Sequence, residues 1–145
     1  MVKGLKSMVI ALVGLIFFAL GQPILAQEIE SKGINTPQTY SYLSVAKCYF
    51  IDSGNGLISV SGKTITYSTV DKIKTTVYLQ KQTSTGWVNV KSWTNSVSNT
   101  SYCNVSGTIT VEKGYYYRTY CYHRADKGNL TETNTSLTTA YWVVE

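Results

Sequence analysis

From Val45 to the C-terminus, apolar and polar residues alternate in short runs that are separated by turns rich in glycine, serine and asparagine. Because successive side chains of a strand point to opposite faces, this period of two predicts half-buried β-strands. The predicted strands are 45–51, 57–67, 73–82, 87–93, 101–111, 115–124 and 137–144. The polar segment 125–134 is predicted to be a loop.

Seven short strands in about 100 residues are typical of a Greek-key sandwich. We therefore predict an all-β fold, an immunoglobulin/fibronectin-like β-sandwich, with a small β-barrel as the alternative. The fibronectin-like arrangement is favoured because the segment 114–119 lies where such folds place a corner tyrosine. The predicted domain spans 41–145, after a polar and flexible lead-in over 27–40.

The first 26 residues have the three parts of a secretory signal peptide. Lys3 and Lys6 precede an apolar run, residues 8–20, and Gln22-Pro23 interrupt it shortly before Ala26. An uncleaved membrane anchor is the competing interpretation, but a spanning helix needs about 20 apolar residues. We predict cleavage after Ala26 and release of a secreted, extracellular protein with no membrane attachment.

Charge and composition exclude several classes of protein. The chain has 13 Lys+Arg and 8 Asp+Glu. Without Lys3 and Lys6 the balance is 11 − 8, or +3, and the basic residues are spread along the chain, so no nucleic-acid partner is predicted. With one histidine, His123, a site that needs two imidazoles is excluded, and neither a metal nor another cofactor is predicted.

Three cysteines leave room for one internal disulfide. Cys103 and Cys121 share the parity of inward residues and flank the turn at Lys113-Gly114, so we predict the pair Cys103–Cys121. Cys48 is also on an inward position, which makes Cys48–Cys121 a rival pair.

Two motifs suggest chemistry, but each has a simpler structural interpretation. His123 and Glu132 flank one loop and could orient a nucleophile such as Ser136, yet no nucleophile elbow or oxyanion signature accompanies them. The Asp52–Gly56 segment resembles part of a calcium loop, but a strand follows where further oxygen ligands would be needed. We expect a structural histidine, a hairpin turn and no enzymatic activity.

One strand presents basic and aromatic side chains on its polar face. Arg118, Tyr120, Tyr122 and Arg124 alternate with the inward positions, and the strand 73–82 is predicted to lie beside them with Tyr78 on the same face. Such rings suit stacking on sugars or on an anionic polymer. The alternative is a solvated sheet stabilised by cross-strand tyrosine pairs.

The last third of the chain carries short motifs in a fixed order. Gly114-Tyr-Tyr-Tyr-Arg118 enters a strand, and His123, Gly128, Glu132 and the closing Thr138-Thr-Ala140 follow. These motifs resemble a family of small secreted β proteins of Gram-positive bacteria that has no assigned function. The resemblance implies a signal peptide and a compact β domain, and it carries over no catalytic residue.

Together these features predict a secreted, non-enzymatic β protein that binds a cell-wall glycan or another extracellular polymer or protein through its tyrosine and arginine face. The alternative function is a secreted antibacterial or toxin-like effector. The mature part contains no basic amphipathic helix, which favours binding over membrane attack.

Overall fold

The computed structural model describes residues 26–30, 32–33 and 39–144. Within these ranges every regular element is a β-strand, and there is no helix long and apolar enough to cross a membrane. The strands are β1 (Gln27–Glu30), β2 (Lys32–Gly33), β3 (Leu43–Asp52), β4 (Leu57–Thr83), β5 (Gly86–Thr110), β6 (Tyr115–Lys127), β7 (Leu130–Leu137) and β8 (Tyr141–Val143).

All eight strands join one antiparallel sheet. Its path runs β1-β3-β4-β6-β7-β2, with β5 paired to β4 and β8 paired to β6. The first half of β4 pairs with β3, and its second half pairs with β6. Strand β5 accompanies β4 along both halves, so β4 and β5 form one long hairpin that organises the sheet.

The β4–β5 hairpin folds back on itself. Its pairing is irregular between Ile65 and Val70. Beyond this point the two halves of β4 face each other, and the hydroxyls of Thr64 and Thr75 lie 2.6 Å apart. Strand β5 folds in the same way, as the contact between the indole of Trp93 and Gly107, both on β5, shows. The sheet therefore curls into a half-barrel whose inner face is covered by the sheet itself.

The inner face holds two groups of buried apolar side chains. The larger group is formed by side chains of β3, of both halves of β4, and of β5, β6 and β8; its fully buried members include Phe50, Ile58, Val77 and Tyr117. The smaller group lies near the bend and consists of Leu43, Val70, Ile73, Cys103 and Ala125. The alternation of apolar and polar residues predicts that these apolar side chains are buried. Removal of their surface from water is the main favourable contribution to the free energy of folding.

The all-β prediction is confirmed. The single curled sheet shares features with both predicted architectures, since its two halves pack face to face and its strands also follow a continuous path. Two pairs of predicted strands are continuous in the structure: 57–67 and 73–82 both belong to β4, and 87–93 and 101–111 both belong to β5. Hydrogen-bond pairing continues beyond the bend, which a local alternation of side chains does not reveal.

Two segments form strands where the sequence indicated none. The predicted lead-in 27–40 contains β1 and β2, and Ile29 of β1 packs against the larger core group. The predicted loop 125–134 contains the end of β6 and most of β7. In 125–134 the backbone completes the ladder, and Ala125 joins a buried apolar group while most of the other side chains are polar, so this segment lacks the alternation that marks a half-buried strand.

Tyr117 lies in the segment 114–119, where the sequence predicted a corner tyrosine. Its ring is buried, with 1% of its surface exposed, and its hydroxyl donates a hydrogen bond of 2.8 Å to the carbonyl of Glu112. This bond back to the chain a few residues upstream is the contact that a tyrosine corner makes. It ties the start of β6 to the segment that connects β5 and β6.

Gly107→Ala is expected to destabilise the fold by about 1–3 kcal/mol, because overpacking a fitted site forces its neighbours to shift. A Cβ at position 107 would lie 2.0 Å from a ring carbon of Trp93. The measurement is the free energy of unfolding from urea titration. Ser106→Ala, at the adjacent exposed position, is the control and should change stability by less than about 0.5 kcal/mol. Equal stability of the two variants would contradict the close packing of Trp93 on Gly107.

Candidate functional site

The predicted binding residues lie together on the outer face of the sheet. Strands β4 and β6 pair so that Tyr78 is opposite Tyr120, and Arg118 is opposite Gln80. The intervening positions of both strands point inward and are fully buried, including Val77, Leu79, Thr119 and Cys121. We call the outward set, Tyr78, Arg118, Tyr120, Tyr122 and Arg124, the tyrosine–arginine face.

Three half-buried tyrosines form the centre of this face. The ring centroids of Tyr78 and Tyr120 are 5.8 Å apart, and the rings are tilted by 43°. Tyr122 follows on β6, between Thr76 of β4 and Thr135 of β7. Rings in this arrangement stabilise the sheet as cross-strand pairs and also expose part of their surface to solvent.

Arg118 is held at one end of the face by two neighbours. Its Nε donates a hydrogen bond of 2.9 Å to Oε1 of Gln80, and its guanidinium carbon lies 4.1 Å from the ring centroid of Trp87. Gln80 in turn donates from Nε2 to Oδ1 of Asn89, at 2.9 Å. Arg118 is thus oriented by neutral groups, and it belongs to none of the ion pairs among the described residues.

Arg124, at the other end, is paired with an acid. Its Nε contacts both carboxylate oxygens of Asp126, at 2.9 and 3.0 Å. Asp126 also accepts a hydrogen bond of 2.6 Å from the hydroxyl of Thr131. The charge of Arg124 is therefore largely balanced within the protein, which leaves Arg118 as the better placed of the two predicted arginines to meet an anion.

Aromatic side chains that the sequence analysis did not assign extend the face. Trp87 stacks on Arg118, and farther along β6 Tyr116 forms an edge-to-face pair with Trp142, at a centroid distance of 5.0 Å. Tyr116 and Trp142 are 44% and 43% exposed. The parity of β6 would have placed Tyr116 on this face, but Trp87 and Trp142 reach it only through the pairing of β5 and β8.

His123 lies inside the sheet, in a chain of hydroxyl groups. Its Nδ1 is 2.7 Å from the hydroxyl of Thr64, and its Nε2 is 2.8 Å from that of Ser136. Both His123 and Ser136 are 0% exposed. A histidine and a serine are thus in contact, but both are shielded from solvent, and burial lowers the pKa of His123 to about 4.

Glu132 does not contact His123 by any hydrogen bond described in the structure. Its carboxylate instead accepts backbone N–H bonds from Ser41, Tyr42 and Leu43, at 2.6, 2.9 and 2.8 Å. Partial burial opposes ionisation, but these donors hold the pKa of Glu132 below its usual value. Glu132 thus anchors the start of the domain to β7.

The cysteines are buried thiols, and the structure separates Cys103 from Cys121. The thiol of Cys103 lies in the smaller core group, 3.7 Å from the carbonyl oxygen of Asn95. Cys121 lies in the larger group together with Cys48. The structure therefore brings together the rival pair, and not the predicted pair Cys103–Cys121.

The Asp52–Gly56 segment is a tight turn. Oδ1 of Asp52 accepts a hydrogen bond of 2.8 Å from the backbone of Gly54, and residues 54–56 all have positive φ angles. Among the described residues, no three His, Cys, Asp or Glu side chains gather in a group that could hold a metal ion.

The fold and the exposed aromatic face define a small all-β protein with one candidate interaction surface. The chain belongs to a family of unknown function (DUF6147), whose model matches residues 32–140. This confirms the resemblance to a family without assigned function, and the match covers the strands that carry the tyrosine–arginine face. No curated protein and no solved structure matches the chain.

Acidification should destabilise the protein before its carboxylates titrate. The pKa of His123 is about 4 in the folded state and about 6.5 in the unfolded state, so below pH 6.5 the unfolded chain binds the extra proton. The stabilisation is present above pH 6.5 and is lost as the pH falls toward 4. We expect a loss of about 2 kcal/mol between pH 7 and pH 5 in urea titrations.

His123→Gln tests the origin of this pH dependence. The variant should be less stable at pH 7, but its free energy of unfolding should be nearly flat between pH 7 and pH 5. An equally steep pH dependence in the variant would show that another group is responsible.

Proposed function

We propose that the protein is a secreted, non-enzymatic binding protein, and that its tyrosine–arginine face binds an extracellular polymer, most suitably an anionic cell-wall glycan. The single observation that carries this proposal is the ordered row of partly exposed tyrosine rings beside Arg118. Aromatic rings bind the apolar faces of sugar units, while a guanidinium donates hydrogen bonds to carboxylate or phosphate oxygens.

The charge of the face supports an anionic partner. On β4 and β6 the outward positions between 72 and 126 include four cations and a single carboxylate, namely Lys72, Lys74, Arg118, Arg124 and Asp126. The adjoining outward positions of β5 and β7 are mostly serine and threonine, which add hydroxyl groups and no charge. Such a surface attracts a polyanion over a distance set by the ionic strength.

The same contacts support recognition by a rigid surface. The orientation of Arg118 is set by Gln80 and Trp87 before any ligand arrives, and the tyrosines are held by cross-strand pairing. Binding to an ordered surface costs less side-chain entropy than binding to flexible loops. A toxin-like effector remains the alternative function, and no observation in the structure favours it.

The non-enzymatic part of the proposal is supported by the position of the single histidine. His123 and its hydroxyl partners form a closed chain inside the sheet, away from the exposed aromatic rings. The outer face presents arginine, lysine, tyrosine and hydroxyl groups, which suit binding.

Tyr120→Ala and Tyr122→Ala should each weaken binding to peptidoglycan sacculi by about 1–3 kcal/mol, the range that aromatic stacking contributes on other planar ligands. Each should cost the fold less than about 1 kcal/mol, since a cross-strand pair contributes no more. Co-sedimentation with sacculi measures the affinity, and urea titration measures the stability. Removal of the anionic polymers from the sacculi, or added salt, should weaken the contribution of Arg118.

Two other tyrosines are controls for these variants. Tyr67 is 72% exposed and lies at the bend, outside the face, so Tyr67→Ala should bind like the parent. Tyr117→Ala should lose about 3 kcal/mol or more of stability, because it removes a buried ring. Stable Tyr120→Ala and Tyr122→Ala variants that bind sacculi as the parent does would refute the proposed role of the face.

Secretion is a separate part of the proposal and has its own test. Residues 1–25 lie outside the described part of the chain, and the support for a signal peptide is the sequence pattern that ends at Ala26. Expression of the full chain in a Gram-positive host should release a product that begins at Gln27, as measured by intact mass. Recovery of the uncleaved chain in the membrane fraction would refute cleavage at this site.

A further inference from the structure

Cys48 and Cys121 face each other across the curled sheet. Both side chains are 0% exposed. On β4, the residue paired with Cys48 is Gly62, and a Cβ at Gly62 would lie 2.8 Å from the Sγ atom of Cys121. The missing side chain at Gly62 thus leaves space for the thiol of Cys121, which donates to the carbonyl of Ser61 at 3.9 Å and lies in the same buried group as Cys48.

The two strands that carry these cysteines come unusually close. Stacked sheets usually lie about 10 Å apart, but β3 and β6 include Cα pairs within 8 Å. The hydroxyl of Thr119 donates to the carbonyl of Tyr49 at 3.1 Å, and the thiol of Cys48 donates to the carbonyl of Thr119 at 3.6 Å. A disulfide needs Cα atoms about 4.4–6.8 Å apart, so this is a point where the layers approach the required separation.

Cys103 has different surroundings. It packs with Leu43, Val70 and Ile73 near the bend, and its thiol points to the carbonyl of Asn95. The structure therefore distinguishes one pair of cysteines from a third that lies apart.

We propose that Cys48 and Cys121 are a disulfide site, at which oxidation joins β3 to β6 across the inner face and leaves Cys103 as a thiol. The oxidant is a disulfide, either a small-molecule disulfide or an oxidised dithiol protein. One cysteine thiolate attacks it to form a mixed disulfide and releases one thiol. The second cysteine thiolate then displaces the other thiol, so two protein thiols become one disulfide and the oxidant is reduced to two thiols.

The order of folding and oxidation matters at this site. The thiolate is the reactive form, and burial together with the neighbouring Cys48 raises the pKa of Cys121. Both thiols are also shielded from solvent in the folded protein. The bond should therefore form quickly in the unfolded or partly folded chain and slowly once the sheet has closed, as in a protein that folds after export.

The test is to refold residues 27–145 in a glutathione redox buffer, to alkylate the remaining thiols and to digest the product with trypsin without reduction. Trypsin leaves the three cysteines on separate peptides, 48–63, 92–113 and 119–124. We expect peptide 48–63 linked to peptide 119–124, and an alkylated peptide 92–113. The oxidised protein should melt roughly 10 °C higher than the reduced protein, because the bond closes a long loop of the unfolded chain.

Serine variants separate the three cysteines. Cys103→Ser should still form the linked peptide and show the same shift in melting temperature, whereas Cys48→Ser and Cys121→Ser should lose both. The same glutathione buffer added after reduced refolding should give the linked peptide at least tenfold more slowly. A major linked product that contains peptide 92–113, or three alkylated thiols after oxidative refolding, would overturn the proposal, and neither result depends on whether the outer face binds a polymer.

Discussion

The β4–β5 hairpin returns onto itself, and the packing of the inner face follows from this bend. A strand of 27 residues would extend about 90 Å if it were straight, and its alternating apolar side chains would line one uncovered face. The bend between Ile65 and Val70 lets each strand cover its own inner face. Close contact between the halves then requires positions without a side chain, and Gly62 and Gly107 provide them.

This closure places polar groups inside the protein and obliges them to pair. Thr64, Thr75, His123 and Ser136 are fully buried and form one hydrogen-bonded chain between the two halves of the sheet. In the described part of the chain, no buried side-chain nitrogen or oxygen lacks a hydrogen-bond partner. Hydrogen bonds are directional and apolar contacts are not. A buried chain in which every polar group is hydrogen-bonded therefore fixes more precisely which positions of β4, β6 and β7 meet. The histidine thus joins β6 to β4 and to β7 inside the sheet.

The outer face gains its order from the same closure. Because β6 is held by the inner contacts of Tyr117, Thr119 and Cys121, the alternate positions of β6 are presented to solvent in a fixed register with β4. The arginines then differ through their neighbours, since Arg118 meets neutral groups and Arg124 meets Asp126. One face of β6 is buried in the core and the other is exposed to solvent. This strand therefore links the stability of the fold to the surface proposed for binding.

The amino-acid sequence was sufficient to predict the all-β class and the two alternating faces of the strands 73–82 and 115–124, with Tyr78, Tyr120 and Tyr122 on polar faces. These properties follow from the alternation of side chains, which is local. The folded sheet was needed to show that predicted strands are continuous through the bend, that polar β7 belongs to the sheet and that Trp87 stacks on Arg118. It was also needed to show that Cys121 lies in the same buried group as Cys48, and that Cys103 lies in another. Each of these depends on which segments become neighbours when the sheet curls, and a period of two in one strand contains no information about its partner or about the layer that it faces.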